Sequence, residues 1–186
     1  NEDGVEFRSH IDGSKHFFSP ASVMNAQREI GADIIMALDE CTPFPSTAKE
    51  AEHSLKFTLK WTAEAMQWLK EHPPIHGYDQ QFFGIIQGGM HKNLRKQAIE
   101  RIAELGPDGF AMGGLSVGEP TETMYEIADF CTDILPQDHA RYVMGVGTPW
   151  NLLELLMSIK PFDDDDIATI NSAGDYNARK ELRQSM

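Results

Sequence analysis

Phe82-Phe83-Gly84-Ile85-Ile86 runs without a polar side chain and stops at Gln87-Gly88-Gly89. A short apolar run with no alternation suits a strand covered on both faces, as in a parallel sheet; a half-exposed strand would alternate. The same grammar recurs on either side. Residues 34–38 read Ile-Ile-Met-Ala-Leu and end in Asp39-Glu40. Residues 109–112 read Gly-Phe-Ala-Met and end in Gly113-Gly114. Residues 142–144 read Tyr-Val-Met and end in Gly145-Val146-Gly147. These runs are the expected strands.

Helical patterns fill the gaps. Ser19-Pro20 has the form of an N-cap followed by proline at the first helical position, and Gly31 the form of a C-terminal stop. Thr47 with Glu50 makes a capping box, and the helix after it carries Leu55, Leu59, Met66 and Leu69 until His72-Pro73-Pro74 ends it. Leu94, Ala98, Ile102 and Leu105 form a second apolar stripe before Gly106, and Met124, Ile127, Ala128 and Cys131 a third. Stripes of this kind are core-packing faces.

Repeated strand-helix units mean parallel strands with right-handed crossovers, and so an α/β fold. A doubly wound sheet and a (β/α) barrel both satisfy that pattern. Four strands do not by themselves close an eight-stranded barrel. There is no internal repeat and no low-complexity linker. Residues 1–157 read as one globular unit. Over residues 158–186 apolar periodicity fades, and Asp163-Asp164-Asp165-Asp166 with Asn171-Ser172-Ala173-Gly174-Asp175 reads as an acidic, polar tail or loop.

The bulk properties narrow the function. The chain has 186 residues, enough for a domain with a real core, and 41% are hydrophobic against 24% charged. No stretch approaches the roughly 20 apolar residues of a membrane span. Asn1 opens directly into the polar Glu2-Asp3-Gly4, so no signal peptide is read there. The two cysteines, Cys41 and Cys131, make no disulfide framework and fit a reducing cytoplasm. A net charge of −13 argues against bulk, non-specific nucleic-acid binding, which needs basic surface to release counterions. Any RNA contact must be local.

In parallel α/β folds ligands sit at the carboxyl ends of the strands. Each strand here ends in something polar or glycine-rich: Asp39 and Glu40, then Gln87, then Gly113-Gly114, then Gly145-Val146-Gly147. Together they offer a carboxylate acceptor, an amide that both donates and accepts, and exposed backbone N–H groups. That set matches the edge of a guanine-like base. A carboxylate accepts from the ring N–H and exocyclic amine, amide and backbone donors meet the carbonyl oxygen, and glycines let the backbone approach a flat ring. Singly these features are commonplace. An aspartate after a strand is usually a cap and a Gly-Gly pair usually a turn, so the conjunction carries the argument. The seven histidines show no paired metal spacing, and there is no Cys-x-x-Cys, Gly-x-Ser-x-Gly, Walker or dinucleotide fingerprint. Cys41 lies beside the site, as a nucleophile or, the better reading, as a small pocket-lining residue with nothing near it in sequence to depress its thiol pKa.

Five motifs in order, Gly4-Val5-Glu6-Phe7-Arg8-Ser9-His10-Ile11-Asp12-Gly13-Ser14, Leu38-Asp39-Glu40-Cys41-Thr42-Pro43, Phe83-Gly84-Ile85-Ile86-Gln87-Gly88-Gly89, Gly113-Gly114-Leu115-Ser116-Val117-Gly118-Glu119 and Tyr142-Val143-Met144-Gly145-Val146-Gly147, closely resemble bacterial tRNA-guanine transglycosylases. The resemblance covers about residues 4–157, the middle of a family protein about twice as long. It implies a (β/α)₈ TIM-barrel family, here as a partial barrel, in the cytoplasm. It implies exchange of guanine at the tRNA anticodon wobble position for a 7-deazaguanine, in queuosine biosynthesis. In that chemistry an aspartate attacks the ribose anomeric carbon and forms a covalent RNA intermediate. Carried over by motif, Asp39 would bind the ring N–H and amine of the base, and Gln87 its carbonyl edge. Gly113 and Gly114 would supply the close backbone, with the Gly114 N–H donating to the same carbonyl. Leu115 would meet the base's aminomethyl group through its backbone, Met144 would pack on the ring face, and Cys41 would line the pocket. Gly145, Val146, Gly147, Thr148, Pro149, Trp150 and Asn151 would match the segment that touches the tRNA anticodon loop. The base would have to leave its stack to enter.

The resemblance also marks what is not found in these 186 residues. The Asp-Ser-Gly-Gly motif with its proton-handling aspartate would fall before Asn1. The family's zinc ligands, a Cys-x-Cys-x-x-Cys set plus a histidine, would fall after the matched region, so zinc is expected of the full-length family but no ligands for it are read here. Where the nucleophile segment Gly-Ile-Asp-Met-Phe-Asp-Cys should lie, the chain reads Ser158-Ile159-Lys160-Pro161-Phe162-Asp163-Asp164, so no catalytic nucleophile is assigned. The chain is therefore expected to be inactive alone, with a non-catalytic partner subunit or a base- or RNA-binding fragment as the alternative, and an unrelated purine-acting barrel as a third reading. A partial barrel exposes two sheet edges, which predicts a homo-oligomer.

Overall fold

The computed structural model describes residues 2–158; the tail expected over residues 158–186 lies, Ser158 apart, outside the described residues. The chain opens with an antiparallel hairpin, β1 (Val5–Arg8) and β2 (Lys15–Phe18), followed by α1 (Pro20–Ile30). Then strand and helix alternate: β3 (Ile34–Met36), α2 (Ala48–Glu71), β4 (Gln81–Ile86), α3 (Lys92–Ala103), β5 (Gly109–Met112), α4 (Thr121–Ile134), β6 (Ala140–Val143) and α5 (Pro149–Ser158).

The parallel sheet runs β3-β4-β5-β6, every strand beside its neighbour in sequence. Ile34 pairs with Gln81, Phe83 with Gly109, and Gly109 with Ala140. This order decides between the two α/β alternatives. A doubly wound sheet reverses its strand order at a switch point and takes helices on both faces. Here the order never reverses, and α1, α2, α3, α4 and α5 pack each against the next. This is the arrangement of consecutive βα units in a TIM barrel, as a partial barrel.

The local signals act as read. The Ser19 hydroxyl caps α1, and Gly31 ends it at φ 74°, in the left-handed region. Thr47 and Glu50 close a reciprocal capping box on α2. The expected stripes are core: Leu55, Leu94, Ala98, Ile102, Met124, Ile127, Ala128 and Cys131 are buried under the sheet. Met24, Ile35, Ala37, Ala65 and Phe82 form a second cluster beneath α1 and α2. Gly84 has a packing reason. A Cβ there would stand 2.3 Å from Ile102 Cγ2, so its absence lets α3 lie directly on β4.

Two elements were not foreseen. The β1–β2 hairpin begins within the Gly4–Ser14 motif and runs on to Phe18. Its turn is built from Asp12, whose carboxylate accepts from the Ser14 N–H and hydroxyl. The chain just ahead of the hairpin is tethered by the Trp61 indole, which donates to the Glu2 carbonyl at 2.9 Å. The other is α5, begun by Pro149 and capped by the Thr148 hydroxyl on the Asn151 N–H. The strands flanking the sheet also depart from full burial: β3 and β6 each present exposed residues, because they lie at the edges of the described sheet.

Candidate active site at the strand carboxyl ends

The polar strand ends converge. Asp39, just beyond β3, and Gln87, just beyond β4, meet directly: the Gln87 Nε2 donates to the Asp39 carboxylate at 2.7 Å. Gln87 is 1% exposed, and its Oε1 has no hydrogen-bond partner. A buried carbonyl oxygen that no protein donor meets is costly to leave unpaired. Burial raises the Asp39 carboxyl above its ordinary value, and the hydrogen bond from Gln87 offsets part of the rise.

Gly113 and Gly114, beyond β5, lie against the same amide. A Cβ on Gly113 would stand 2.6 Å from Gln87 Nε2, and one on Gly114, at φ 63°, would stand 2.5 Å from Gln87 Oε1. Neither position has room for a side chain. Leu115 follows, buried, and Glu119 turns back to accept from the N–H groups of Ser116 and Val117. Cys41 is surface-accessible on the loop after Asp39. Local desolvation first, then the charge of Asp39, push its thiol pKa up. A raised pKa keeps it a thiol, which fits a pocket wall and not an activated nucleophile. Glu40 belongs to the scaffold: its carboxylate accepts from the Ser54 hydroxyl at 2.9 Å, and its N–H donates to Thr58 at 3.0 Å.

Met144 sits half-buried at the end of β6, its N–H on the Met112 carbonyl at 3.1 Å. Gly145 lies alongside Leu115, whose carbonyl would be 3.7 Å from a Cβ there. Gly147, Thr148, Pro149 and Trp150 are exposed, with Val146 partly covered. Asn151 is tied inward, donating to the Tyr125 hydroxyl at 2.8 Å. So Asp39, Gln87, Gly113 and Gly114 form one contiguous group, Cys41 and Leu115 border it, and residues 144–151 form a neighbouring rim.

One participant escaped the sequence reading. Arg95, on the first turn of α3, is wholly buried and donates to the carbonyls of Ile86, Gly89, Gly113 and Gly114. In sequence it is one more basic residue of a helix, and its one signal is spacing: it shares a helical face with Ala98, Ile99 and Ile102, where Lys92 and Lys96 do not. Among the described residues no group of His, Cys, Asp and Glu side chains is placed to hold a metal ion. The zinc implied by the resemblance has no ligand set among them. No described helix is long and apolar enough to cross a membrane.

Fold and site together define a barrel-type α/β protein with a polar, glycine-backed group of residues at the carboxyl ends of its parallel strands. Residues 1–158 match the family model described as queuine tRNA-ribosyltransferase. A protein of that name from Caldanaerobacter subterraneus subsp. tengcongensis is 50% identical over 163 residues, 87% of this chain and 42% of its own length. One from a Thermoanaerobacter species is 46% identical over the same extent. One from Francisella tularensis subsp. novicida is 48% identical over 153 residues, 82% of this chain and 40% of its own length. The chain belongs to the queuine tRNA-ribosyltransferase family, a family of glycosyltransferases. It spans about two fifths of the length of these relatives.

Proposed function

We propose that this chain carries the base-recognition part of a tRNA-guanine transglycosylase, an enzyme that exchanges guanine in the anticodon loop for a 7-deazaguanine. The observation that carries the reading is the Asp39–Gln87 pair backed by Gly113 and Gly114. In the free protein Gln87 Nε2 is engaged with Asp39 and Oε1 has no donor. A guanine-like base would free the Gln87 Nε2–H from Asp39. Its ring N–H and amine give Asp39 new donors, and its carbonyl accepts from the released Gln87 N–H and from the Gly114 N–H. The two glycines let the backbone close on the Gln87 amide, and Leu115 and Met144 border the group. Cys41 stays a spectator thiol. Residues 145–151 form the rim that the flanking anticodon nucleotides would touch. They carry no charged side chain, so contact there is by backbone and the Trp150 ring, a sequence-tolerant stacking surface.

In the exchange, a carboxylate oxygen bonds the ribose anomeric carbon as the bond to guanine breaks, and guanine leaves with a proton from a general acid, which recovers one from the ring N–H of the incoming base. The incoming base then displaces the carboxylate and completes the cycle. This reading assigns that nucleophile to no described residue. Lys160 and Asp163 to Asp166, nearest its place in the family pattern, lie outside the described residues. Residues 1–186 alone are therefore expected to bind base without transferring it.

The test is transfer of radiolabelled guanine into tRNA, with denaturing gels to trap an adduct and calorimetry to measure guanine binding. Bound guanine with neither label nor adduct supports the reading. An adduct would overturn the assignment of the nucleophile elsewhere, and absence of guanine binding would overturn the pocket.

A further inference from the structure

Arg95 is a buried cation with an unusual set of partners. It is 0% exposed, and its hydrogen bonds end on main-chain carbonyls, none on a carboxylate. Nε donates to Gly89 O at 2.8 Å, Nη1 to Ile86 O and Gly113 O at 2.7 Å each, and Nη2 to Gly114 O at 3.3 Å. Burying a guanidinium is expensive unless its donors are met, and here carbonyl dipoles from the ends of two adjacent strands meet them.

Those carbonyls are not arbitrary. A trans peptide is planar, so its C=O and the next residue's N–H point in opposite directions. Drawing Gly113 O inward onto Nη1 aims the Gly114 N–H outward, and holding Gly114 O does the same for the Leu115 N–H. Holding Ile86 O fixes the peptide that leads into Gln87. The same guanidinium thus orients the Gly114 donor, the Leu115 backbone and the root of the Gln87 side chain, which otherwise sit on separate loops. A second fit supports this. A Cβ on Gly114 would stand 3.4 Å from Nη2, so the β5 glycine loop closes on the guanidinium itself.

We propose that Arg95 is a positioning residue for base recognition: its guanidinium ties the β4 and β5 strand ends together and aims the groups that read the carbonyl edge of the base. The proposal rests on the base-pocket reading above. Lysine keeps the charge but offers a single ammonium in place of a planar fork, and cannot serve the carbonyls of both strand ends at once.

The test compares the wild-type chain with Arg95→Lys. Folding is followed by circular dichroism. Binding is followed by fluorescence titration with 2-aminopurine, which lacks the carbonyl, and by competition with guanine, which has it. Hydrogen exchange is followed at residues 113–115. The expected result is that Arg95→Lys folds and exchanges faster at residues 113–115 while the middle of α3 is unchanged. Its preference for guanine over 2-aminopurine should fall about tenfold, the loss of one well-aimed hydrogen bond. A merely structural role would weaken both purines alike. An unchanged preference, or unchanged exchange at residues 113–115, overturns the proposal. Should Arg95→Lys fail to fold, guanine is titrated into the wild-type chain and the Arg95 Nε–H resonance followed; a shift supports the proposal and no response overturns it. Should the wild-type chain bind neither purine, the pocket reading fails, and exchange at residues 113–115 still decides whether Arg95 positions the loops.

Discussion

At the scale of single residues, the site trades stability for binding capacity. Asp39 has a raised carboxyl pKa because it is desolvated, so the fold favours its protonated form. A group whose folded pKa lies above its unfolded value binds more protons in the native state, and stability then falls as pH rises through that interval. Asp39→Asn removes this penalty. It should raise the melting temperature at neutral pH, with the gain vanishing below the ordinary carboxylate value of 3.8, and should abolish guanine binding. Melting curves across pH with parallel calorimetry check both halves. Gly114→Ala should act in the opposite sense. Its methyl would meet Gln87 Oε1 at 2.5 Å in a left-handed backbone, so both stability and base affinity should drop, affinity by about tenfold or more. The identities of Asp39, Gln87 and the glycine pair were legible because strand ends are where a parallel fold places ligands. The Asp39–Gln87 hydrogen bond and the Arg95 clamp were not: the first joins side chains 48 positions apart, and the second joins a helix side chain to main-chain carbonyls of two strand ends that only the sheet brings together.

At the scale of elements, local chemistry dominated. The caps on α1 and α2 and the apolar runs of β4 and β5 are written within a few residues, and each formed where its signal stands. Thr47→Ala removes the capping box and should cost about 1 kcal/mol in urea unfolding, while Thr47→Ser should be near neutral. Gly84→Ala should cost more, about 1–3 kcal/mol, because the new methyl would lie 2.3 Å from Ile102 Cγ2 where α3 and β4 touch. Combining it with Ile102→Leu, which has no Cγ2 branch on Cβ, should recover part of the loss if that contact is the cause. The β1–β2 hairpin escaped notice for a physical reason. Its strands are four residues each and exposed along their length, so they carry no burial pattern, and the Asp12–Ser14 turn is legible only once the pairing is known. Helix α5 escaped because Gly145 to Gly147 reads as loop and the helix starts at once behind it.

At the scale of the whole molecule, strand order was the feature sequence left open. Apolar runs say that strands are parallel and buried; they do not say whether the order reverses. The unbroken β3-β4-β5-β6 order with helices packed in succession resolves this in favour of the barrel. Within the described residues that sheet has two open edges, at β3 and β6, and Ile34 and Tyr142 on them are about half exposed. Open edges of a parallel sheet seek pairing. Sedimentation velocity should therefore find this 20.8 kDa chain in species of at least twice that mass. A sharp monomer across concentrations would count against edge pairing. If the strand ends read a guanine-like base, titration calorimetry of the chain with guanine reports it. Saturable one-to-one binding that disappears in both Asp39→Ala and Gln87→Ala is the predicted result. No binding, or binding indifferent to those two substitutions, would contradict it.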